Sequence, residues 1–101
     1  MKYFLHGKLT ATQGEGKQLT EILVKASKLI KTAKGCRLYT IGKNNANENE
    51  VWVTEIWDSK ADHDNSLNLA GVKDLIGKAF PILDGMPTKG QELEIIGGHG
   101  I

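Results

Sequence analysis

The sequence predicts an α+β domain of the ferredoxin-like class, with elements in the order strand, helix, strand, strand, helix, strand. Three observations predict it. Residues 2–11, 36–43, 51–57 and 91–96 read as strands, with side-chain alternation clearest at the two ends of the chain. Two segments, 19–33 and roughly 60–83, carry apolar residues at spacings of three and four, the second with an interruption. The order of these segments is the split βαβ pattern, in which two helices cover one face of a four-stranded antiparallel sheet.

The opening strand begins within Met1-Lys2-Tyr3-Phe4-Leu5-His6-Gly7-Lys8, with Tyr3, Leu5, Gly7 and Leu9 on one side and Phe4, His6, Lys8 and Thr10 on the other. Gln13-Gly14-Glu15-Gly16 breaks it. Leu19, Ile22, Leu23, Ala26, Leu29, Ile30 and Ala33 then form one helical stripe of about four turns, and Gly35 suits a left-handed residue at its end. A second strand, Cys36–Lys43, leads through the polar loop Asn44–Glu50, read as a solvated hairpin connection. Val51–Trp57 is rich in β-branched and aromatic residues and is the strongest strand. Ser59, with Asp62 three residues on, caps a helix starting near Lys60. Ser66–Gly71 interrupts that helix, Val72, Leu75, Ile76, Ala79 and Leu83 resume it, and Pro81 bends or ends it. Gln91–Ile96 is the last strand, before a glycine-rich tail.

The chain's 101 residues accommodate a single domain, 1–101. Lysines and arginines are dispersed and the formal charge is +1, so no basic stripe offers itself to nucleic acid. No apolar run reaches the length of a membrane span, and the opening stretch is too short for a signal peptide, so the expected location is cytoplasmic. Cys36 is the only cysteine, which excludes an internal disulfide and argues for a small buried residue.

The alternation assigns Tyr3, Leu5, Leu9, Val51, Val53, Trp57, Leu93 and Ile95 to the helix-covered face of the sheet. The other face still holds Phe4, Trp52, Ile56 and Ile96, joined by Ile41 in one phase of the second strand. An apolar patch of that kind marks an interface, so a homodimer packed sheet against sheet is expected.

The run Val51-Trp52-Val53-Thr54-Glu55-Ile56-Trp57-Asp58-Ser59-Lys60 resembles the third strand and following turn of antibiotic biosynthesis monooxygenase (ABM) domains, where a Glu-x-Trp strand end leads into a helix. His63-Asp64-Asn65-Ser66-Leu67 and Pro81-Ile82-Leu83-Asp84-Gly85 resemble the small bacterial quinol monooxygenase branch of that family. The likeness spans essentially the whole chain. It implies a dimeric α+β barrel that oxidises phenolic or quinol-like rings with molecular oxygen, using no metal or flavin. Other members degrade haem, with an asparagine on the first strand, a tryptophan in the second helical region and a histidine beyond. The matching positions here are Gly7, about Ser66, and Ile76 or Gly77. The resemblance therefore implies no haem, and no cofactor is expected.

Six residues are candidates for chemistry. His63 lies one turn into the helix after Trp57, with Leu67 four residues on, and should point inward with it. There it is either a general base or a core histidine bonded to a backbone carbonyl. Glu55 shares the face of Trp57, so its carboxylate needs a partner or a wet cavity. It either orients His63 or contacts substrate, or else pairs with a lysine at a helix edge. Trp57 is a pocket wall for a flat ring or a core side chain. Gly7 opens space on the same face. Tyr39 and Asn65 are candidate donors to substrate oxygens, unless a bulge or a helix break turns them away. The three histidines, His6, His63 and His99, lack metal-ligand spacing, so no metal is expected.

Two functions fit these residues. One is a cofactor-independent monooxygenase for a phenolic or quinol-type aromatic. The other is a non-catalytic, small-ligand-binding or stress-related dimer. A cavity reaching Glu55 and His63 separates them, because the first needs it for chemistry.

Overall fold

The computed structural model describes residues 2–87 and 90–101; Met1, the first residue of the opening run, lies outside them. The chain folds as β1 (Lys2–Thr10), α1 (Gly16–Ile30), β2 (Cys36–Asn44), β3 (Asn47–Trp57), α2 (Lys60–Ser66), α3 (Val72–Ala79) and β4 (Gln91–Ile95), with a 3₁₀ turn at Phe80–Ile82. The four strands form one antiparallel sheet in the order β2-β3-β1-β4. This is the ferredoxin-like α+β arrangement that the order of elements predicts. No helix among the described residues is long and apolar enough to cross a membrane.

Each helix forms where an apolar stripe finds the sheet. In α1, Leu19, Ile22, Leu23, Ala26 and Ile30 are buried and the lysines between them are not. The second helical segment splits because Gly71, at φ +87°, starts α3 in a left-handed conformation. Gly35 also has positive φ, +81°, but sits beyond the last helical turn, at the entry to β2. Two core clusters result. Ala11, Leu19, Ile22, Leu23, Val51 and Ala79 make one; Ala26, Ile30, Trp57 and Val72 make the other.

The β1–β3 register pairs Tyr3 with Trp57, Leu5 with Glu55, Gly7 with Val53 and Leu9 with Val51, so these eight share the helix-covered face. A bulge between Cys36 and Leu38 resets β2, placing Tyr39 opposite Glu55 and Ile41 opposite Val53. Ile41 thus faces the helices, against the first core cluster, and Leu38, opposite Ile56, takes the open face.

Three expectations need correction. In β4, Leu93 pairs with Phe4 and Ile95 with Lys2, so both belong to the open face, whereas Glu92 and Glu94 take the side of Tyr3 and Leu5. Leu93 is accordingly 57% exposed, and the Tyr3 hydroxyl donates to Glu92 at 2.9 Å. The polar loop expected over Asn44–Glu50 shrinks to Asn45 and Ala46, because Asn47–Glu50 already pairs as strand. Leu67 does not follow His63 inward. The helix stops at Ser66, which is itself buried, and Leu67 is 40% exposed.

Candidate active site

The site is built where β3 ends and α2 begins. Glu55 and Trp57 are two apart on one strand and so share a face. The indole Nε1–H of Trp57 donates to Glu55 Oε1 at 3.1 Å, and Trp57 is 0% exposed and Glu55 8% exposed. The Asp58-Ser59 turn is short, and the Ser59 hydroxyl accepts the Asp62 backbone N–H at 3.1 Å, satisfying one of the free donors at the helix start. His63 therefore emerges one turn in, over the strand end. Its ring meets Trp57 edge-on at 5.9 Å and tilts against Tyr3 at 5.6 Å.

His63 stands between two carboxylates. Nε2 lies 3.6 Å from Glu55 Oε1, an ion-pair distance beyond hydrogen-bond length. Nδ1 is hydrogen-bonded to Asp64 Oδ1 at 2.9 Å. The ring thus finds a neighbouring carboxylate instead of the backbone carbonyl of a simple core histidine.

A cavity of about 250 Å³ lies between the helix-covered face of the sheet and helices α1 and α3. Its wall is mostly aliphatic: Leu5, Leu9, Ile22, Leu23, Val53 and Leu75 contribute, together with the half-exposed Phe80. Glu55 and Tyr39 bring polar groups into it, and Lys8 also lines it. Gly7 lines it too, and its neighbour there is Gly90. A Cβ on Gly7 would stand 3.0 Å from Gly90 Cα, and one on Gly90 would stand 2.7 Å from the His6 carbonyl oxygen. Glycine at both positions lets the two backbones touch.

Of the six sequence candidates, Glu55, Tyr39 and Gly7 line the cavity. Trp57 and His63 contact Glu55 from behind but are not among the lining residues. Asn65 is exposed and outside the site, because a position two beyond His63 falls on the far side of a helix. Sequence reasoning gave Asp64 no role; its adjacency to His63 was the available signal. The cavity-lining residues of α3 were legible only as a core stripe.

Burial pushes the Glu55 carboxyl above the usual carboxylate range, and the Trp57 hydrogen bond and the nearby His63 pull it partly back. Burial, then the Glu55 charge, pushes the Tyr39 hydroxyl well up, so it is a neutral donor at any physiological pH. Burial likewise raises the Cys36 thiol, with Glu55 adding to it. Asp64 moves the other way: its hydrogen bond to His63, then that to Lys60, holds it below the usual range. Among the described residues, no three His, Cys, Asp or Glu side chains group as a metal site.

The sequence profile of a family described as antibiotic biosynthesis monooxygenase matches residues 2–78. No curated protein sequence matches the chain significantly. Among solved structures, a candidate antibiotic biosynthesis monooxygenase from Chloroflexus aurantiacus is similar at 34% identity and a TM-score of 0.87, over 100% of this chain and 99% of that one. One from Deinococcus radiodurans shares 24% identity and a TM-score of 0.80, over 100% of this chain and 98% of that one. One from Nitrosomonas europaea, at 10% identity and a TM-score of 0.86 over 94% and 90% of the two chains, shares the fold.

Proposed function

The chain belongs to the antibiotic biosynthesis monooxygenase family, and from that premise we propose that it is a cofactor-independent monooxygenase, oxidising a phenolic or quinol-type ring with molecular oxygen. The observation that carries this reading is Glu55, a buried carboxyl of raised pKa in the wall of a mostly aliphatic cavity. A general base works best with a pKa near the operating pH, and burial moves Glu55 that way.

In this reading the ring lies between the sheet and α1/α3. Glu55 takes the proton of the ring hydroxyl. The resulting phenolate supplies an electron pair to oxygen, forming a carbon–oxygen bond to a ring carbon. The peroxide takes up a proton, the carbon loses its hydrogen as a proton, and the O–O bond breaks. A phenol and O₂ thus give a quinone and water, with the substrate supplying every electron. Tyr39, kept protonated, donates to developing negative charge on oxygen. The aliphatic wall excludes water. Trp57 fixes Glu55 by its indole N–H and is packing, not wall. His63, which the sequence offered as either a general base or a core histidine, serves in this reading as the partner of Glu55.

Oxygen uptake with a panel of phenols and naphthohydroquinones tests the proposal. The expected result is uptake well above the uncatalysed rate, stoichiometric with ring consumed, and a loss of about 10²-fold or more in Glu55→Gln, the usual scale for a general base. Ring binding by calorimetry without accelerated uptake would instead establish the non-catalytic binding protein. We further propose that two copies pair through the open face of the sheet, in keeping with the dimeric barrel implied by the family.

A further inference from the structure

The cavity-wall carboxyl leads to solvent through two neighbouring side chains, His63 and Asp64. Side-chain exposure rises along it, from 10% at Glu55 to 15% at His63 and 52% at Asp64. The imidazole faces Glu55 with Nε2 and Asp64 with Nδ1. We propose that Asp64 is a positioning residue that holds the His63 proton on Nδ1, and that Glu55, His63 and Asp64 form a proton line from the cavity wall to the surface. The proposal rests on the reading of Glu55 as the base.

The tautomer follows from donor and acceptor chemistry. Asp64 is ionised at neutral pH, flanked by His63 on Oδ1 and by the Lys60 ammonium on Oδ2 at 3.1 Å. An ionised carboxylate only accepts, so Nδ1 must be the donor. In neutral His63 this leaves the lone pair on Nε2, the ring nitrogen that lies 3.6 Å from Glu55 Oε1. A lone pair and an ionised carboxylate oxygen repel, so with both present the Glu55–His63 pair readily takes up one proton, on Oε1 or on Nε2. That is the condition for transfer between them, which requires the 3.6 Å separation to shorten to hydrogen-bond length. The Trp57 N–H holds Oε1 on this side, and Tyr3 and Trp57 flank the ring.

The line suits the reaction's proton balance. A phenol and O₂ give a quinone and water with no net proton. The proton that Glu55 takes from the hydroxyl must still leave before the carboxylate can act again, and one must return when the peroxide is formed. Outward, Glu55 passes its proton to Nε2, and Nδ1 releases one by Asp64 to solvent. The return runs the same steps backwards and restores the tautomer. No bond between heavy atoms changes along the way, and no oxidant beyond O₂ is needed.

Two measurements on the full chain test this. The first is the ¹⁵N spectrum of the His63 ring, which distinguishes the tautomers without any turnover. Neutral His63 should carry its proton on Nδ1 in the wild type and in Lys60→Ala, and shift toward Nε2 in Asp64→Asn. The second is steady-state oxidation of a naphthohydroquinone. Asp64→Asn should lose roughly 10-fold in kcat with KM unchanged, Asp64→Glu should recover most of it, and Lys60→Ala should match the wild type. A wild-type ring protonated on Nε2, or an Asp64→Asn variant with unaltered tautomer, overturns the proposal even if turnover is vigorous. Unaltered kcat in Asp64→Asn overturns the proton line. If the tautomer shifts as expected but no ring is oxidised by the wild type, the positioning role of Asp64 stands and the monooxygenase reading fails.

Discussion

Glu55 sits where a carboxylate is expensive to ionise, and that has a consequence for stability as well as for chemistry. Its folded pKa lies above the ordinary value of about 4.5 because of burial, so the native state binds the proton more tightly than the unfolded chain. The stability this confers is fully present below the unfolded pKa and is lost as pH rises through the folded pKa. Glu55→Gln keeps the shape and an oxygen for the Trp57 N–H but removes the titration. The melting temperature of Glu55→Gln should therefore gain on the wild type as pH rises from about 4. A gap that is constant with pH, or that narrows, would show that the Trp57 hydrogen bond and the His63 charge together match or outweigh burial. The sequence made the meeting of Glu55, Trp57 and His63 legible, since strand alternation and the short Asp58-Ser59 turn are local rules. It could not show which of them reaches the cavity. That depends on where α1 and α3 pack, and residues such as Leu23 and Leu75 lie far from Glu55 along the chain.

At the scale of elements, α2 is seven residues long and depends on its cap. So short a helix is marginal without tertiary support. Ser59→Ala removes the acceptor for the Asp62 N–H and should lower stability by about 1 kcal/mol, or about 4–8 °C in melting temperature. It should also lower turnover, because His63 follows the cap by one turn; Ser59→Asp, which can still cap, should restore both. Gly35 is tied to the same turn. It holds φ +81°, and a Cβ there would run into the Asp62 carboxyl group. Gly35→Ala should destabilise by about 1–3 kcal/mol, measurable by denaturant unfolding. Adding Asp62→Ala should relieve the contacts with the carboxyl group but leave the close approach to the Cβ of residue 62 and the backbone strain. The cap was legible from Ser59 and Asp62, but the phase of β4 was not. Leu93 and Ile95 alternate with Glu92 and Glu94, so core outside and charge inside looked wrong by pattern alone. An edge strand is phased by its one neighbour, and Tyr3 pairing with Glu94 and hydrogen-bonding Glu92 shows what the charge-bearing face contacts.

For the whole molecule the proposed dimer turns on the open face, and the corrected phase of β4 sharpens the test. That face carries Phe4, Leu38, Trp52, Ile56 and Leu93 across all four strands. Trp52 is prepared for contact: it stacks on His6 at 4.9 Å, and its indole N–H donates to Glu50 at 2.7 Å, leaving its apolar surface fixed in place. The proposed dimer buries this patch, so the wild type should sediment as a dimer at micromolar concentration. Trp52→Glu should dissociate it by placing an unpaired charge in an apolar interface. Leu93→Glu is the sharper probe. Were Leu93 in the core, as its alternation suggests, the substitution would unfold the domain. On the open face it leaves the fold intact and acts on the interface alone. Sedimentation of Leu93→Glu should show a monomer, while circular dichroism retains the native helix and strand content. A Leu93→Glu protein that remains dimeric would place the interface elsewhere, and an unfolded one would return Leu93 to the core.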